Sequence, residues 1–350
     1  MPRWARFGVA LGCLLTVPAG GALVAGTAVA GVSLPGIPAV APGPLNILLV
    51  GIDPRDTHTA PLADSIIVAH VPADRSGTVL FSIPRDLVVR IPAFPKSGSG
   101  AQRTKINAAM ALGSRIGERS YSVAQGFELL AQTVGNVTGI GRFDAGAVLN
   151  FGGFRKLVDA MGGISVVVDQ NVVSEHRKPD GEPRDRLPQC PGHDNCHRPY
   201  VGVQKSYPKS TGPVHFRGWE ALDYTRQRYG LPRSDYDRQR HQRQFVQALA
   251  KKMKRKILTE PGRLVQVTME VGRSLTFIGN GRDLAGWSQL LRILRIREMI
   301  SVGLPGHALF ENGLYRGEQL PATVSPFFAA VVQDRVKPFL VANPGVVDLG

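Results

Sequence analysis

The stretch that decides the fold runs from Asn46 to Asp86. It contains three short apolar runs: NILLVGI (residues 46–52), SIIVAHV (residues 65–71) and TVLFSI (residues 78–83). Each run has the length of a strand, and the first is apolar enough to be buried on both faces of a sheet. A short polar turn, residues 72–77, joins the second run to the third, whereas a longer loop, residues 53–64, joins the first two. We predict an antiparallel meander of three strands.

Charged side chains stand where these predicted strands begin and end. Asp53 follows the first strand, Asp64 precedes the second, and Arg85 follows the third after Pro84. In an antiparallel meander these three positions lie at one edge of the sheet. Two carboxylates suit a hard cation such as Mg²⁺ or Mn²⁺, while an arginine binds phosphate oxygens in pairs. The residues alone leave open a surface ion-pair cluster, in which each pair contributes about 0–1 kcal/mol.

A second basic group lies much later in the chain. The pattern from Gly218 to Tyr229 predicts a helix with Arg226 and Arg228 near its end. A further helix is expected to start at about Tyr236, and on it Arg238 and Gln242 share a face at i, i+4 spacing. Five arginines between residues 226 and 240 exceed what solubility requires.

The amino-acid composition limits the classes to which the protein can belong. The chain has 350 residues, of which 43% are hydrophobic and 20% charged, as in a globular protein with a full core. This excludes a disordered chain and a bundle of many membrane spans. The 42 basic and 27 acidic residues give a net charge of +15, which predicts an anionic partner without choosing among nucleic acid, lipid phosphate, polysaccharide and a phosphorylated substrate.

The N-terminus predicts export of the folded body. Arg3 and Arg6 precede an uncharged, apolar and small-residue stretch, residues 7–37, which is long enough to cross a hydrocarbon core of about 30 Å. We predict a single-pass anchor at residues 1–37 with its N-terminus in the cytoplasm. A cleaved signal peptide stays open, because Ala28-Val29-Ala30 resembles a signal-peptidase site. A Pro/Gly-rich stalk, residues 38–44, then leads to an extracytoplasmic body held at the cell membrane, for which we expect no nucleic-acid partner.

The predicted export also changes how the two later cysteines are interpreted. Cys190 and Cys196 flank a short loop, and in an oxidising compartment we predict a disulfide between them. A zinc site that adds His193 and His197 stays open, although adjacent Cys196 and His197 cannot easily reach one tetrahedral ion together. The surrounding region, residues 174–213, lacks periodicity and is predicted to be a long loop that borders a site.

An ordered set of motifs carries a family resemblance. The motifs are NILLVGID (residues 46–53), Asp64-Ser65, SIPRD (residues 82–86), KINAA (residues 105–109), FRKLVDAMGG (residues 154–163), ALDYTRQR (residues 221–228) and the segment Ser234 to Gln242. This set resembles the LytR-CpsA-Psr family of cell-wall phosphotransferases, and the resemblance covers residues 45–345. It implies a single α/β/α layered domain with a central mixed sheet and an apolar groove for a polyprenyl chain.

The resemblance also implies a reaction and a site. Such proteins transfer a glycopolymer from a polyprenyl-pyrophosphate carrier to a peptidoglycan sugar hydroxyl, forming a phosphodiester outside the membrane. Asp53 and Asp64 match the family's Mg²⁺-associated acids. Its pyrophosphate-binding arginines are matched by Arg85, Arg226, Arg228 and Arg238, with Asp235 and Gln242 as supporting polar groups. Asp86 and the two metal-site acids are the candidate proton acceptors, whereas Lys105 and Asn107 of KINAA receive no direct chemistry.

The chain departs from the family at two positions. Leu62 and His241 stand where the family commonly has arginine, which predicts weaker pyrophosphate binding near Leu62 unless Arg55 reaches the site.

Two other functions stay open at this stage, a polyprenyl-pyrophosphate phosphatase and a non-catalytic binder of anionic lipid or wall polymer. The Gly, Ala, Arg and Pro content is compatible with a GC-rich actinobacterial source, where arabinogalactan is the expected cargo.

Overall fold

The computed structural model describes residues 43–54, 56, 58–186, 200–259, 271–282, 287 and 299–347. The expected anchor at residues 1–37 and residues 38–42 of the stalk lie outside these ranges, as do Cys190 and Cys196. None of the helices within these ranges combines the length and the apolar character that a membrane span needs.

The strands are mostly short. They are β1 (Leu45–Ile52), β2 (Ala63–Val71), β3 (Thr78–Ser82), β4 (Val88–Ile91), β5 (Gln102–Lys105), β6 (Arg115–Ile116), β7 (Ser120–Tyr121), β8 (Ala145–Asn150), β9 (Ile164–Val167), β10 (Val172–Val173), β11 (Ser206–Tyr207), β12 (Pro213–Phe216), β13 (Leu275–Ile278), β14 (Met299–Val302), β15 (His307–Glu311) and β16 (Leu314–Gln319). The helices are α1 (Ala108–Ser114), α2 (Val123–Thr138), α3 (Phe151–Ala160), α4 (Gly218–Tyr224), α5 (Asp235–Thr259), α6 (Ser325–Val332) and α7 (Val336–Ala342).

A six-stranded mixed sheet forms the centre, in the order β13-β8-β1-β2-β3-β14. β2 pairs antiparallel with both β1 and β3, so the predicted meander is confirmed. β8 joins β1 in parallel and β14 joins β3 in parallel, while β13 is antiparallel to β8. The C-terminal ends of β1, β3, β8 and β14 therefore meet at one edge of the sheet, which is the edge where β2 begins.

Helices cover both faces of this sheet. On one face Leu48, Val68 and Phe81 are buried in a cluster that includes residues of α1, α2 and α6. The ring of Phe81 meets that of Phe327 from α6 edge to face, with centroids 5.2 Å apart. On the other face Ile67 and Leu80 pack against Val246 of α5. Each such side chain contributes about 1.5–3 kcal/mol on full burial, so the two faces together hold the sheet edge in place.

The helix before the second basic group is shorter than the sequence predicts. α4 ends at Tyr224 rather than near Tyr229, because the chain turns away through 3₁₀-type bonds from Arg226 N to the Asp223 carbonyl and from Gln227 N to the Tyr224 carbonyl. The Gln227 side chain also donates to the Asp223 carbonyl at 2.9 Å. Arg226 and Arg228 thus lie on the turn that follows the helix.

The contact between α1 and α2 depends on a glycine. A Cβ on Gly126 would lie 2.0 Å from Oγ of Ser114 and 2.6 Å from the backbone oxygen of Met110. The two helices are therefore too close for any side chain at this position. Since α1 begins directly after Asn107 of the KINAA motif, this contact also supports the edge of the sheet.

We expect Gly126→Ala to lower the free energy of unfolding by about 1–3 kcal/mol, because an overpacked helix contact outweighs alanine's better helix propensity. Gly152→Ala is the matched control, since the added Cβ in α3 would meet only Oδ1 of Asn150, at an ordinary 3.5 Å. The control should be neutral or stabilising by up to about 1 kcal/mol. Urea unfolding of both variants measures this, and equal stabilities would contradict the packing.

Candidate active site

Asp64 and Arg85 meet at the edge of the sheet, as the meander predicts. Nη1 of Arg85 donates a hydrogen bond to Oδ1 of Asp64, and both side chains are about one-fifth exposed. A β-bulge sets the position of Asp64, because Gly51 pairs with Ser65 and Ile52 with Ala63, which leaves Asp64 without a cross-strand partner. Bulges of this kind redirect a side chain at the end of a ladder.

Arg85 lies among three carboxylates. Besides Asp64, its Nε is 3.6 Å from Oδ2 of Asp86 and 3.9 Å from Oδ1 of Asp235. Burial alone would lower the pKa of Arg85, but the attraction of Asp235, Asp64 and Asp86 outweighs it and the pKa is raised. The guanidinium therefore keeps its charge in a half-buried position.

Asp235 is shared by two guanidiniums. Its Oδ1 is 2.8 Å from Nη2 of Arg238, which is only 5% exposed. Burial by itself would raise the pKa of Asp235, yet the nearby Arg238 and Arg85 lower it below its usual value. In the part of the chain that the structure describes, Nε of Arg85 and Nε of Arg238 are buried and donate no hydrogen bond. A buried N–H donor without an acceptor lowers the stability of the folded protein. An anion bound at this position would accept hydrogen bonds from both Nε atoms.

Arg226 joins the edge from the turn after α4. Its Nη2 is 3.5 Å from Oδ2 of Asp53, and its guanidinium lies over the ring of Phe151, 4.5 Å from the centroid. Phe151 begins α3 directly after β8, whose C-terminal end lies beside that of β1. The structure therefore brings Asp53, Asp64, Arg85, Arg226 and Arg238 to one edge.

The two remaining predicted phosphate ligands, Arg228 and Gln242, contact groups other than the acids of the sheet edge. Arg228 donates to the hydroxyl of Tyr229 at 3.2 Å, and nothing described in the structure pairs it with a carboxylate. Gln242 accepts a hydrogen bond from Oγ of Ser65 at 2.8 Å and donates to the Thr225 carbonyl at 3.3 Å. Gln242 thus ties the start of β2 to the turn that carries Arg226. The role of Ser65 was not predicted from the sequence.

The KINAA motif supports the site through its backbone. The amide of Asn107 donates to the Arg85 carbonyl at 3.1 Å, and its carbonyl accepts from the amide of Ala63 at 3.2 Å. Nζ of Lys105 is 3.1 Å from Oδ1 of Asp86 and lies over the ring of Tyr315. No chemistry was predicted for this motif, because its partners lie elsewhere in the chain.

The two departures from the family have different surroundings. Leu62 is exposed and brings no charge to the edge. His241 is fully buried, with its ring 4.5 Å from that of Tyr224 and its Nε2 3.4 Å from Oδ1 of Asp169. His241 therefore belongs to a cluster apart from Arg85. Arg55 lies outside the described residues.

The donor set at the edge fits Mg²⁺ or Mn²⁺ bound together with a phosphate. Asp53 and Asp64 offer carboxylate oxygens at neighbouring strand ends. No group of three or more His, Cys, Asp or Glu side chains in the described ranges is arranged to hold a metal ion. Mg²⁺ is commonly bound by one or two carboxylates plus waters and substrate phosphates, so the other ligands would come from solvent and substrate.

Known proteins are similar to this chain in sequence. The LytR_cpsA_psr family matches residues 32–319. Biofilm regulatory protein A of Streptococcus mutans is 26% identical over 277 residues, covering 74% of this chain and 57% of that protein. The Bacillus cereus protein named polyisoprenyl-teichoic acid–peptidoglycan teichoic acid transferase TagU is 29% identical over 209 residues, covering 60% of this chain and 52% of the relative. The chain therefore spans little more than half the length of these relatives.

Solved structures agree on the fold. Protein gbs0355 of Streptococcus agalactiae superposes with a TM-score of 0.63 at 22% identity, covering 84% of this chain and 88% of the other. TagV of Bacillus subtilis superposes with a TM-score of 0.57 at 24% identity, covering 85% and 99%. A structure described as TagT bound to LI-WTA gives 0.55 at 21% identity, covering 85% and 94%. With the family match extending over most of its length, the chain belongs to the LytR_cpsA_psr family.

Proposed function

We propose that the protein transfers a glycopolymer from a polyprenyl-pyrophosphate carrier to a sugar hydroxyl of peptidoglycan, leaving a phosphodiester link in the cell wall. Family membership and the transferase names of its relatives support a role in wall-polymer transfer. The partners in this proposal are the carrier-linked polymer, peptidoglycan and the membrane that holds the carrier.

One observation carries the proposal. Three arginines distant in sequence, Arg85, Arg226 and Arg238, are held at one edge of the sheet by the carboxylates of Asp53, Asp64 and Asp235. Guanidiniums bind phosphate oxygens through paired, charge-assisted hydrogen bonds. A diphosphate is the part of the carrier whose charge matches this group.

The chemistry follows from where charge develops. The acceptor hydroxyl forms a bond to the phosphorus that carries the polymer, and the bond from that phosphorus to the bridging oxygen breaks, releasing polyprenyl phosphate. Negative charge grows on the transferring phosphoryl oxygens and on the leaving phosphate, where fixed guanidiniums stabilise it. The hydroxyl proton passes to a carboxylate at this edge, for which Asp86 is our first candidate beside Asp53 and Asp64.

We further propose that Asp53 and Asp64 hold Mg²⁺ or Mn²⁺ once the diphosphate is bound. A divalent cation supplies Lewis-acid stabilisation of phosphoryl oxygens. Arg85 and Arg226 orient these two carboxylates and balance their charge while the site is free.

The same proposal places the catalytic domain outside the cytoplasmic membrane, with residues 1–37 as the anchor. The uncharged stretch after Arg3 and Arg6 supports this placement. The cargo stays a prediction: the names of the TagU relatives specify teichoic acid, whereas the composition of this chain is compatible with an actinobacterial source, in which arabinogalactan is the expected cargo.

Activity requires both the acids and the arginines. We expect Asp64→Asn and Arg85→Lys each to lower transfer of labelled glycan from polyprenyl pyrophosphate to peptidoglycan about 10²–10³-fold, the loss typical of one transition-state contact. Asp185→Asn and Arg142→Lys are matched controls at exposed positions and should keep activity. Thermal melting checks that all four variants fold. Retained activity in Asp64→Asn and Arg85→Lys would contradict both the transferase and the phosphatase hypotheses. Analysis of the products formed with and without peptidoglycan distinguishes these two hypotheses.

Metal dependence has its own test. We expect EDTA to abolish transfer and Mg²⁺ or Mn²⁺ to restore it, with Asp53→Asn raising the metal concentration needed for half-maximal activity. Mn²⁺ binding can also be followed by electron paramagnetic resonance with inorganic pyrophosphate present. Tight binding in wild type that survives unchanged in Asp53→Asn would contradict the assignment of the metal to Asp53.

A further inference from the structure

The hairpin of β15 and β16 is attached to the segment that carries Asp86. The amide of Glu318 in β16 donates a hydrogen bond to the Asp86 carbonyl at 2.8 Å, and Glu318 also forms an isolated parallel bridge with Leu87. β16 lies against β4 and β5. Asp86 precedes β4 and Lys105 ends β5, so the hairpin borders the sheet edge at the place where these two side chains pair.

The carboxylate of Glu318 accepts hydrogen bonds from two tyrosines of different elements. The hydroxyl of Tyr236, the second residue of α5, donates to Oε2 at 2.8 Å, and the hydroxyl of Tyr315 in β16 donates to Oε1 at 2.9 Å. Burial and then the hydrogen bond and charge of Glu318 raise the pKa of both tyrosines. Both hydroxyls therefore keep their protons and act as donors.

Tyr236 connects Glu318 to the start of α5. Gly306, just before β15, packs directly on the Tyr236 hydroxyl, because a Cβ at this position would lie 2.1 Å from the oxygen. The hydroxyl is thus enclosed between the beginning of the hairpin and Glu318. Since Asp235 directly precedes Tyr236, these contacts also hold the acid that Arg85 and Arg238 share.

Tyr315 connects Glu318 to the side chain of Asp86. Nζ of Lys105 lies over the Tyr315 ring, 5.1 Å from the centroid, which is within the range of a cation–π contact. The same Nζ is 3.1 Å from Oδ1 of Asp86. The Tyr315 ring is 47% exposed, so its contact with Phe310 and its hydrogen bond to Glu318 are what hold it under the ammonium group.

The two connections meet at Arg85. Its Nε is 3.6 Å from Oδ2 of Asp86 and 3.9 Å from Oδ1 of Asp235. Glu318 is not among the ion-pair partners of Arg85 in the part of the chain that the structure describes. It instead joins the two segments that carry these acids, and any effect of Glu318 on Arg85 and Asp86 passes through other residues.

We propose that Glu318 is a positioning residue for Asp86, our first candidate proton acceptor in the transfer reaction. It acts through its hydrogen bonds with Tyr315 and Tyr236 and through its own amide. The inference rests on the proposed function and adds to it a residue that works through its neighbours. A reacting group displaced by about 1 Å can cost about 100-fold in rate, so loss of this support lowers kcat.

Binding of the diphosphate does not depend on Glu318 in this account. The arginines of the sheet edge have carboxylate partners of their own, and those ion pairs do not include Glu318. A change at Glu318 therefore lowers kcat but leaves the KM for the donor and the affinity for pyrophosphate in place.

The test measures transfer of labelled glycan from polyprenyl pyrophosphate to peptidoglycan by the full chain in detergent. We expect Glu318→Gln, which keeps the shape of the side chain, to lower kcat about 10–100-fold. The KM for the donor, and the Kd of inorganic pyrophosphate measured by calorimetry, should stay within about twofold of wild type. Glu311→Gln is the matched control, because it removes the same charge from the same hairpin and should keep kcat.

A double-mutant cycle separates positioning from a general effect on structure. Tyr315→Phe removes only the hydroxyl that reaches Glu318, so we expect a lower kcat and an unchanged KM for the donor. In the double variant the two losses should not multiply, and kcat should lie within about twofold of the slower single variant. Thermal melting checks that the variants fold. If Glu318→Gln melts well below wild type, kcat of Tyr315→Phe decides alone, since this change is at a half-exposed ring.

The positioning role is overturned by wild-type kcat in Glu318→Gln or Tyr315→Phe, by losses that multiply in the double variant, or by pyrophosphate binding that weakens in step with kcat. An equal loss of kcat in Glu311→Gln also overturns it, because any charge change on the hairpin would then have the same effect. Wild-type protein that neither transfers nor hydrolyses a polyprenyl-pyrophosphate glycan overturns the proposed function as well. With an active wild type, the results above overturn the positioning role alone.

Discussion

The candidate site depends on carboxylates that hold mutually repelling guanidiniums at one edge of a sheet. Arg85 and Arg238 repel each other, and this repulsion adds to burial in lowering the pKa of Arg238. Asp235 contacts both and offsets that repulsion, and Asp64 also binds Arg85. Removing one partner of a buried charge group costs far more than an exposed ion pair contributes. The protein itself thus holds the group in place, as the proposed electrostatic catalysis requires.

Backbone features place each member of this group. The bulge at Asp64 and the hydrogen bonds of Asn107 fix the early residues. Asp235 begins α5 directly after Ser234, which has a left-handed φ of 45°, a conformation that costs about 1–3 kcal/mol at a non-glycine residue. Gly317 allows β16 to approach the carbonyl of Asp86, where a Cβ would be 2.3 Å from the oxygen. Local strain and close backbone contact therefore occur where the charged side chains meet.

The sequence was informative where structure is local. Short apolar runs bounded by Pro and Gly predicted β1, β2 and β3. The antiparallel pairing of these strands in turn predicted that Asp64 and Arg85 lie at the same edge. The meeting of Arg85 with Asp235 and Arg238 came only from the family resemblance, because no local pattern encodes a contact across about 150 residues of chain. The end of α4 was predicted wrongly, since a side chain, Gln227, takes the Asp223 carbonyl. Residues 174–213 were predicted to be one long loop, whereas the structure places the short strand β11 within this range and begins β12 at its end; residues 187–199 lie outside the described residues. The anchor and the disulfide stay predictions.

The most direct test of the diphosphate site is a crystal structure with a short-chain prenyl pyrophosphate and Mg²⁺. We expect the diphosphate at the sheet edge, with its oxygens accepting hydrogen bonds from the buried Nε atoms of Arg85 and Arg238 and from Arg226. A diphosphate bound elsewhere, for example at the basic run Lys251 to Lys256 of α5, with Arg85 and Arg238 still enclosed by their carboxylates, would contradict the assignment.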